Sequence, residues 1–242
     1  MKYKLLILIP TIFLLCAFTN SPNQWGEHVT GVKTHLDTNK KVIALTFDAC
    51  GGPKGNGYDK KLMDYLIANK IPATLFINAR WIDANPKIFM ELTDNPLFEI
   101  ENHGLNHKPC SVNGKSIYGI KGTMNEKEVI DEIKLNGDKI YELTGRKPKY
   151  YRSGTAYYDE TAVQIANKLG YDVINFDIIG DGGAKFPKDK IKQRLLSAKR
   201  GSIIICHFNQ PDGDTAEGVI EAVPVLINKG YKFVRLDKYK LL

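Results

Sequence analysis

Val42-Ile-Ala-Leu-Thr-Phe-Asp48 is an uninterrupted run of apolar and β-branched residues that ends on a carboxylate. Such a run lacks the polar alternation of a half-exposed strand and suits a strand covered on both faces, as in a parallel sheet. Six further runs of similar character follow, at Ala73–Asn78, Phe98–Asn102, Tyr150–Ser153, Asp172–Asp177, Ser202–His207 and Tyr231–Leu236. Helical patterns separate them and carry their own start and stop signals. Asn85-Pro86 reads as a cap and first turn, and Asn125 with Glu128 as a capping box before a helix that ends near Gly145. Gly170 and Gly230 stand where two more helices should end. The alternation predicts one α/β domain built from βαβ units: a distorted (β/α) barrel of about seven parallel strands. A doubly wound open sheet would alternate in the same way, but no glycine-rich phosphate loop follows the first strand, which weakens a nucleotide-binding version.

The position of the ionisable residues is more informative than their number. Asp48, His103, Arg152, Asp177 and His207 each stand at or just past the C-terminal end of a different predicted strand. In a barrel those ends converge on one face. Three of the five histidines, His103, His107 and His207, fall in these segments, while His28 and His35 precede the first strand. His103-x-x-x-His107 has the i, i+4 spacing that sets two imidazoles on one side of a helical turn, close enough to share a metal ion. Each residue has an ordinary explanation by itself: a turn aspartate, its salt-bridge arginine, a capping pair, a buried histidine. The functional argument rests on all of them meeting on one face.

In this order and context, Thr46-Phe47-Asp48, His103-x-x-x-His107, Arg152 after a strand, the Asp177 segment and Ile205-x-His207 resemble the polysaccharide deacetylase (NodB homology) family, carbohydrate esterase family 4. The resemblance runs from about Lys41 to the C-terminus. It implies a distorted seven-stranded barrel that hydrolyses N-linked acetyl groups on a glycan such as peptidoglycan or chitin. In that family Asp48 would be the general base, His207 the general acid, and His103 with His107 the ligands of a divalent metal, usually zinc. Arg152 would orient Asp48, and Asp177 or Asp181 would partner His207.

The sequence also departs from the family pattern. The usual second aspartate, a metal ligand, is replaced in Asp48-Ala49-Cys50, and alanine coordinates nothing. The metal would then be weak or absent, or a replacement ligand such as Cys50, Asn102 or Asp181 would complete it. Arg152-Ser153-Gly154-Thr155 stands for Arg-x-Pro-Tyr, and Asp177-Ile-Ile-Gly180-Asp181 lacks the usual tryptophan. Tyr157, Tyr158, Trp81 and Phe208 are candidates for stacking on sugars, although such aromatics more often pack in a core. Two other readings stay open: a metal-independent hydrolase of another non-peptide carbon-nitrogen bond, and an inactive envelope glycan-binding protein.

The ends of the chain suggest a location. Lys2 and Lys4 precede an apolar run from Leu5 to Phe18, which reads as a signal peptide over residues 1–20, followed by an extension over 21–40 and the catalytic barrel over 41–242. The run is shorter than the roughly 18–20 residues that span a bilayer, so a stable membrane span is not expected. Leu15 before Cys16 is too bulky for the usual lipoprotein site. A secreted, periplasmic or envelope location follows. The formal charge of +7 comes from lysines and arginines scattered along the chain, not from one basic stripe, which argues against nucleic acid and is compatible with an anionic envelope. Cys50, Cys110 and Cys206 are an odd set, so one bridge with a free thiol or three free thiols are both open. The stretch Cys110–Thr123, rich in Gly, Ser and Asn, is a candidate flap near the site.

Overall fold

The computed structural model describes residues 21–242; the signal-peptide reading of 1–20 and the question of Cys16 fall outside them. The sheet has nine strands, all paired in parallel: β1 (Val32–Lys33), β2 (Val42–Ala49), β3 (Ala73–Ile77), β4 (Phe98–Asn102), β5 (Tyr150–Tyr151), β6 (Asp172–Ile174), β7 (Ile178–Ile179), β8 (Ile203–His207) and β9 (Lys232–Val234). Their order is β1-β6-β5-β4-β3-β2-β8-β7, with β9 against β2. The helices are α1 (Lys60–Ala68), α2 (Ala79–Ala84), α3 (Pro86–Asp94), α4 (Glu126–Thr144), α5 (Glu160–Lys168), α6 (Lys188–Leu196) and α7 (Thr215–Asn228). Among the described residues no helix is long and apolar enough to cross a membrane.

Burial of β2 on both faces follows its composition. Ile43, Leu45, Phe47 and Ala49 face outward into a cluster with Leu62 and Leu66 of α1 and Val219 and Leu226 of α7. Val42 and Ala44 face inward beside Phe76, Ile174 and Ile203. Each large buried side chain contributes roughly 1.5–3 kcal/mol. The same alternation leaves Thr46 and Asp48 on the inner side, and the parallel register aligns Asp48 with Phe76 on β3 and His207 on β8.

The strand expected over Asp172–Asp177 is two short ones. β6 pairs with β1 and β5, whereas β7 pairs with β8, so one run of chain reaches both ends of the sheet. The break has a side-chain cause: Asn175 donates through Nδ2 to the carbonyls of Glu27 and Ala156, and its backbone N–H goes to Lys33. Residues read as an extension are bound into the sheet. Besides β1, His35 bridges Ser202 and Leu36 bridges Leu241.

The helix ends agree with the punctuation read from the sequence. Asn125 accepts from Glu128 N at 2.9 Å and Gly145 closes α4 at φ 67°. The capping box is only half formed, because the Glu128 carboxylate goes to Met124 N and Lys108 instead of the cap residue. Cys50, Cys110 and Cys206 are free thiols. Trp81, Phe208 and Tyr158 are fully buried, which removes three of the four proposed sugar-stacking aromatics from the surface.

One buried carboxyl stands apart from the site. Glu101 on β4 accepts from Lys149 N and Tyr150 N at 2.8 and 2.6 Å, while burial first and the Glu99 charge second push its pKa well above the ordinary carboxylate range. The folded form therefore binds this proton more tightly than the unfolded chain, and stability is lost as pH rises from the unfolded value, about 4.3, through the raised one. Glu101→Gln keeps an acceptor without the charge. It should melt above the parent at about pH 8 and with it at about pH 4; equal melting at both would show that Glu101 carries no such penalty.

Candidate active site

Asp48 and Arg152 form a buried ion pair at the C-terminal ends of the strands. Arg152 Nη1 donates to Asp48 Oδ1 at 2.7 Å and to Thr46 Oγ1 at 3.0 Å. Its Nε and Nη2 donate to the carbonyls of Ile174 and Asn175. The guanidinium lies over the ring of Phe76, 4.1 Å from its centroid, with Phe176 on hand at 5.5 Å. A planar cation with several fixed donors suits this site better than a lysine would. Asp48 is thereby held through one oxygen, and Oδ2 is turned to His103 Nε2 at 3.6 Å.

His207 lies level with Asp48 on the next strand and is held by Asp181. Nδ1 of His207 is 2.9 Å from Asp181 Oδ1, and Asp181 Oδ2 accepts from His207 N and Thr215 Oγ1. Burial opposes charge on this imidazole, but the charge and hydrogen bond of Asp181, with a contribution from Cys50, outweigh it and raise the pKa well above the ordinary histidine value. Asp177 points elsewhere, accepting from Ser202 Oγ and Ile203 N at the start of β8. Of the two aspartates expected as partners of His207, the structure brings only Asp181 to it.

His103 and His107 do meet, their ring centroids 5.0 Å apart, but not on a helical turn. The segment after β4 is a loop with positive φ at Gly104 (79°) and at His107 (60°). Glu132 of α4 ties it down, accepting from the backbone N–H groups of Asn106 and Lys108, while its own carbonyl takes Leu105 N. His103 Nδ1 lies 2.9 Å from the Arg152 carbonyl, which as an acceptor fixes the proton there and leaves the Nε2 lone pair for the cleft.

Cys50 joins this pair. Its Sγ is 3.9 Å from His103 Nε2, and the ligand atoms of Cys50, His103 and His107 all lie within 4.8 Å of one another. Ala49 packs outward into the hydrophobic cluster, so the next residue is the one turned to the histidines. Burial alone would push the Cys50 thiol up, but His107, His103 and His207 around it outweigh burial and hold it well below the ordinary thiol value. Burial likewise opposes charge on His103, yet Asp48 and Cys50 outweigh it and raise its pKa. Nε2 of His107 is buried without a hydrogen-bond partner. A thiol and two imidazoles, one of them with an unsatisfied ring nitrogen, fit a divalent cation. The other proposed ligands do not: Asn102 is spent on Ile133 O, Gly104 N and Asn136, and Asp181 on His207.

These groups open on a cleft of about 460 Å³ whose lining includes Asp48, Cys50, His107, His207, Phe176 and Tyr118. Glu132, which positions the histidine loop, was not singled out from the sequence, although a signal was present. Val129, Glu132, Ile133 and Asn136 share the buried face of α4 at i, i+3, i+4, i+7, and a carboxylate in an apolar stripe needs partners.

Comparison with known proteins bears on the family and the fold. A family profile described as polysaccharide deacetylase matches residues 35–174, more than half of the chain. An uncharacterised 30.6 kDa protein of Geobacillus stearothermophilus is 25% identical over 89% of this chain and 75% of its own length. The Bacillus subtilis peptidoglycan-N-acetylmuramic acid deacetylase PdaC is 23% identical over 84% of this chain, which spans 39% of that protein. A family 4 carbohydrate esterase from Bacillus anthracis superposes with a TM-score of 0.69 at 26% identity, over 92% of this chain and 98% of that one.

The ion pair makes a direct prediction. Arg152→Met strands a buried carboxylate and should cost about 3–5 kcal/mol, much of which Asp48→Asn in the same chain should restore. Urea unfolding of the two single variants and the double variant measures the coupling; additive losses would mean that the two side chains do not support each other.

Proposed function

Because the chain belongs to the polysaccharide deacetylase family, we propose that it removes N-linked acetyl groups from a carbohydrate polymer of the cell envelope, such as peptidoglycan or a chitin-like glycan. The family's hydrolases act on carbon-nitrogen bonds in carbohydrates. The observation that carries the reading for this chain is an Asp48 held by Arg152 and a His207 held by Asp181, at equal register on adjacent strands beside one cleft. Simple binding of a sugar requires neither pair.

An amide needs help at both ends, since its carbonyl is a poor electrophile and its amine a poor leaving group. With Oδ1 engaged by Arg152, Asp48 keeps Oδ2 to take the proton of an attacking water. His207, whose raised pKa favours the imidazolium near neutral pH, delivers a proton to the departing nitrogen through Nε2, the ring nitrogen not engaged by Asp181. Cys50, His103 and His107 would hold a divalent metal, zinc by the softness of a thiolate and two imidazoles, and when bound it supplies positive charge that polarises the carbonyl oxygen. The Arg152 carbonyl keeps His103 in the tautomer that such a ligand needs. Export is supported by the charged and then apolar start of the sequence.

Acetate release from N-acetylglucosamine oligomers and from peptidoglycan, measured with and without added zinc, tests the activity; no release from either substrate under either condition would refute it. Asp48→Asn and His207→Ala should each lower kcat/KM by about 10²–10⁴. Loading with cobalt(II) provides a readout independent of turnover. The parent should show a thiolate-to-cobalt charge-transfer band that Cys50→Ser lacks. A cobalt complex with no such band would remove Cys50 from the ligand set, and activity that survives exhaustive chelation would favour the metal-independent reaction.

A further inference from the structure

Beside the cleft is an aromatic cluster that the catalytic groups do not use. Tyr157 lies between two other rings, 5.8 Å from Trp25 and edge-on to Tyr118 at 5.7 Å. Lys115 Nζ stands 5.8 Å over the Trp25 ring. Trp25 and Tyr157 are partly exposed, and Tyr118 is 69% exposed.

Tyr118 is carried at the tip of the loop from Cys110 to Thr123, whose base is firmly tied. Cys110 N donates to Tyr157 O, Thr123 N to Pro109 O, and Val112 N to Asp159 Oδ2. At the tip, Ile117 and Ile120 exchange both backbone hydrogen bonds around Tyr118 and Gly119, which have φ of 55° and 75°. A two-residue turn with both φ values positive favours Asn, Asp or Gly at its first position. A bulky L-residue there is strained, and an exposed ring gains little burial to offset that strain. The same ring, with Ile120 and Glu27, lines the cleft that contains Asp48 and His207, so the cluster is continuous with the site.

We propose that Tyr118, Tyr157 and Trp25 form a stacking surface for a pyranose ring adjoining the one whose amide enters the cleft, making the protein selective for oligomers over single sugars. This rests on the glycan-deacetylase reading and adds where a second sugar sits. The C–H face of a pyranose fits partly exposed aromatic rings, while Lys115 beside Trp25 and Glu27 in the cleft lining offer polar groups for its hydroxyls.

Trp25 is a built-in reporter, because the chain's other tryptophan, Trp81, is fully buried. In a His207→Ala background that slows turnover, Trp25 fluorescence should respond saturably to an N-acetylglucosamine tetramer and not to the monomer. Tyr118→Ala should weaken tetramer binding about tenfold. Tyr118→Gly, which relieves the turn, should lose the same affinity while melting at or above its background; melting below it would assign the ring a structural role and overturn the proposal. Tetramer binding seen by calorimetry with silent Trp25 and unchanged affinity in Tyr118→Ala would overturn the stacking surface and leave the catalytic reading intact. Absence of both oligomer binding and acetate release in the parent chain would overturn the two together.

Discussion

The buried pair of Asp48 and Arg152 is the constraint around which the top of the barrel is arranged. A guanidinium removed from water needs each donor placed, and here the partners come from Thr46 and Asp48 on β2, Ile174 on β6 and Asn175 just past it. β2 and β6 are not neighbours in the sheet, so one side chain links them across the barrel interior. Such a pair is weak evidence for net stability, since desolvation offsets much of the attraction. Its effect is geometric. It fixes one oxygen of Asp48 and leaves the other for chemistry, and the Arg152 backbone carbonyl sets the tautomer of His103. One residue thus supports both the proposed base and the proposed metal locus.

What could be read from the sequence was what depends on periodicity and on strand ends. The β2 run, the alternation with helices and the placing of Asp48, Arg152 and His207 at strand termini are consequences of burial on two faces, and burial leaves a pattern in one dimension. What could not be read depends on side chains meeting backbone across long separations. The spacing of His103 and His107 suggested a helical turn, yet Glu132, from a helix more than twenty residues later, holds that segment as a loop with left-handed residues. Asn175 divides a run of strand-like residues by bonding Glu27 and Ala156. Asp177 and Asp181 were equivalent on paper, and the division at Asn175 leaves Asp177 at the start of β7, against β8's first residues, and Asp181 beyond its end, beside His207.

The departures from the family pattern are easier to understand together than singly. Ala49 occupies the position where the family usually has an acidic ligand, and here that position faces the hydrophobic outer layer, where a carboxylate would be buried without a partner. Cys50 is the next residue and is turned to His103 and His107. On the opposite wall, Gly154 replaces the family's proline, and a Cβ there would come within 2.3 Å of the His107 backbone. That contact lets the histidine loop press against the segment after β5, bringing His107 close enough to join a cluster with Cys50. Ala49 in the outer layer, the Cys50 thiol one residue later and the space that Gly154 leaves for His107 therefore meet at one locus. Under the metal reading, a soft thiolate would stand where the family pattern has a hard carboxylate, which would change the ion the site prefers, while the Asp48–Arg152 and His207–Asp181 pairs involve neither residue 49 nor residue 50.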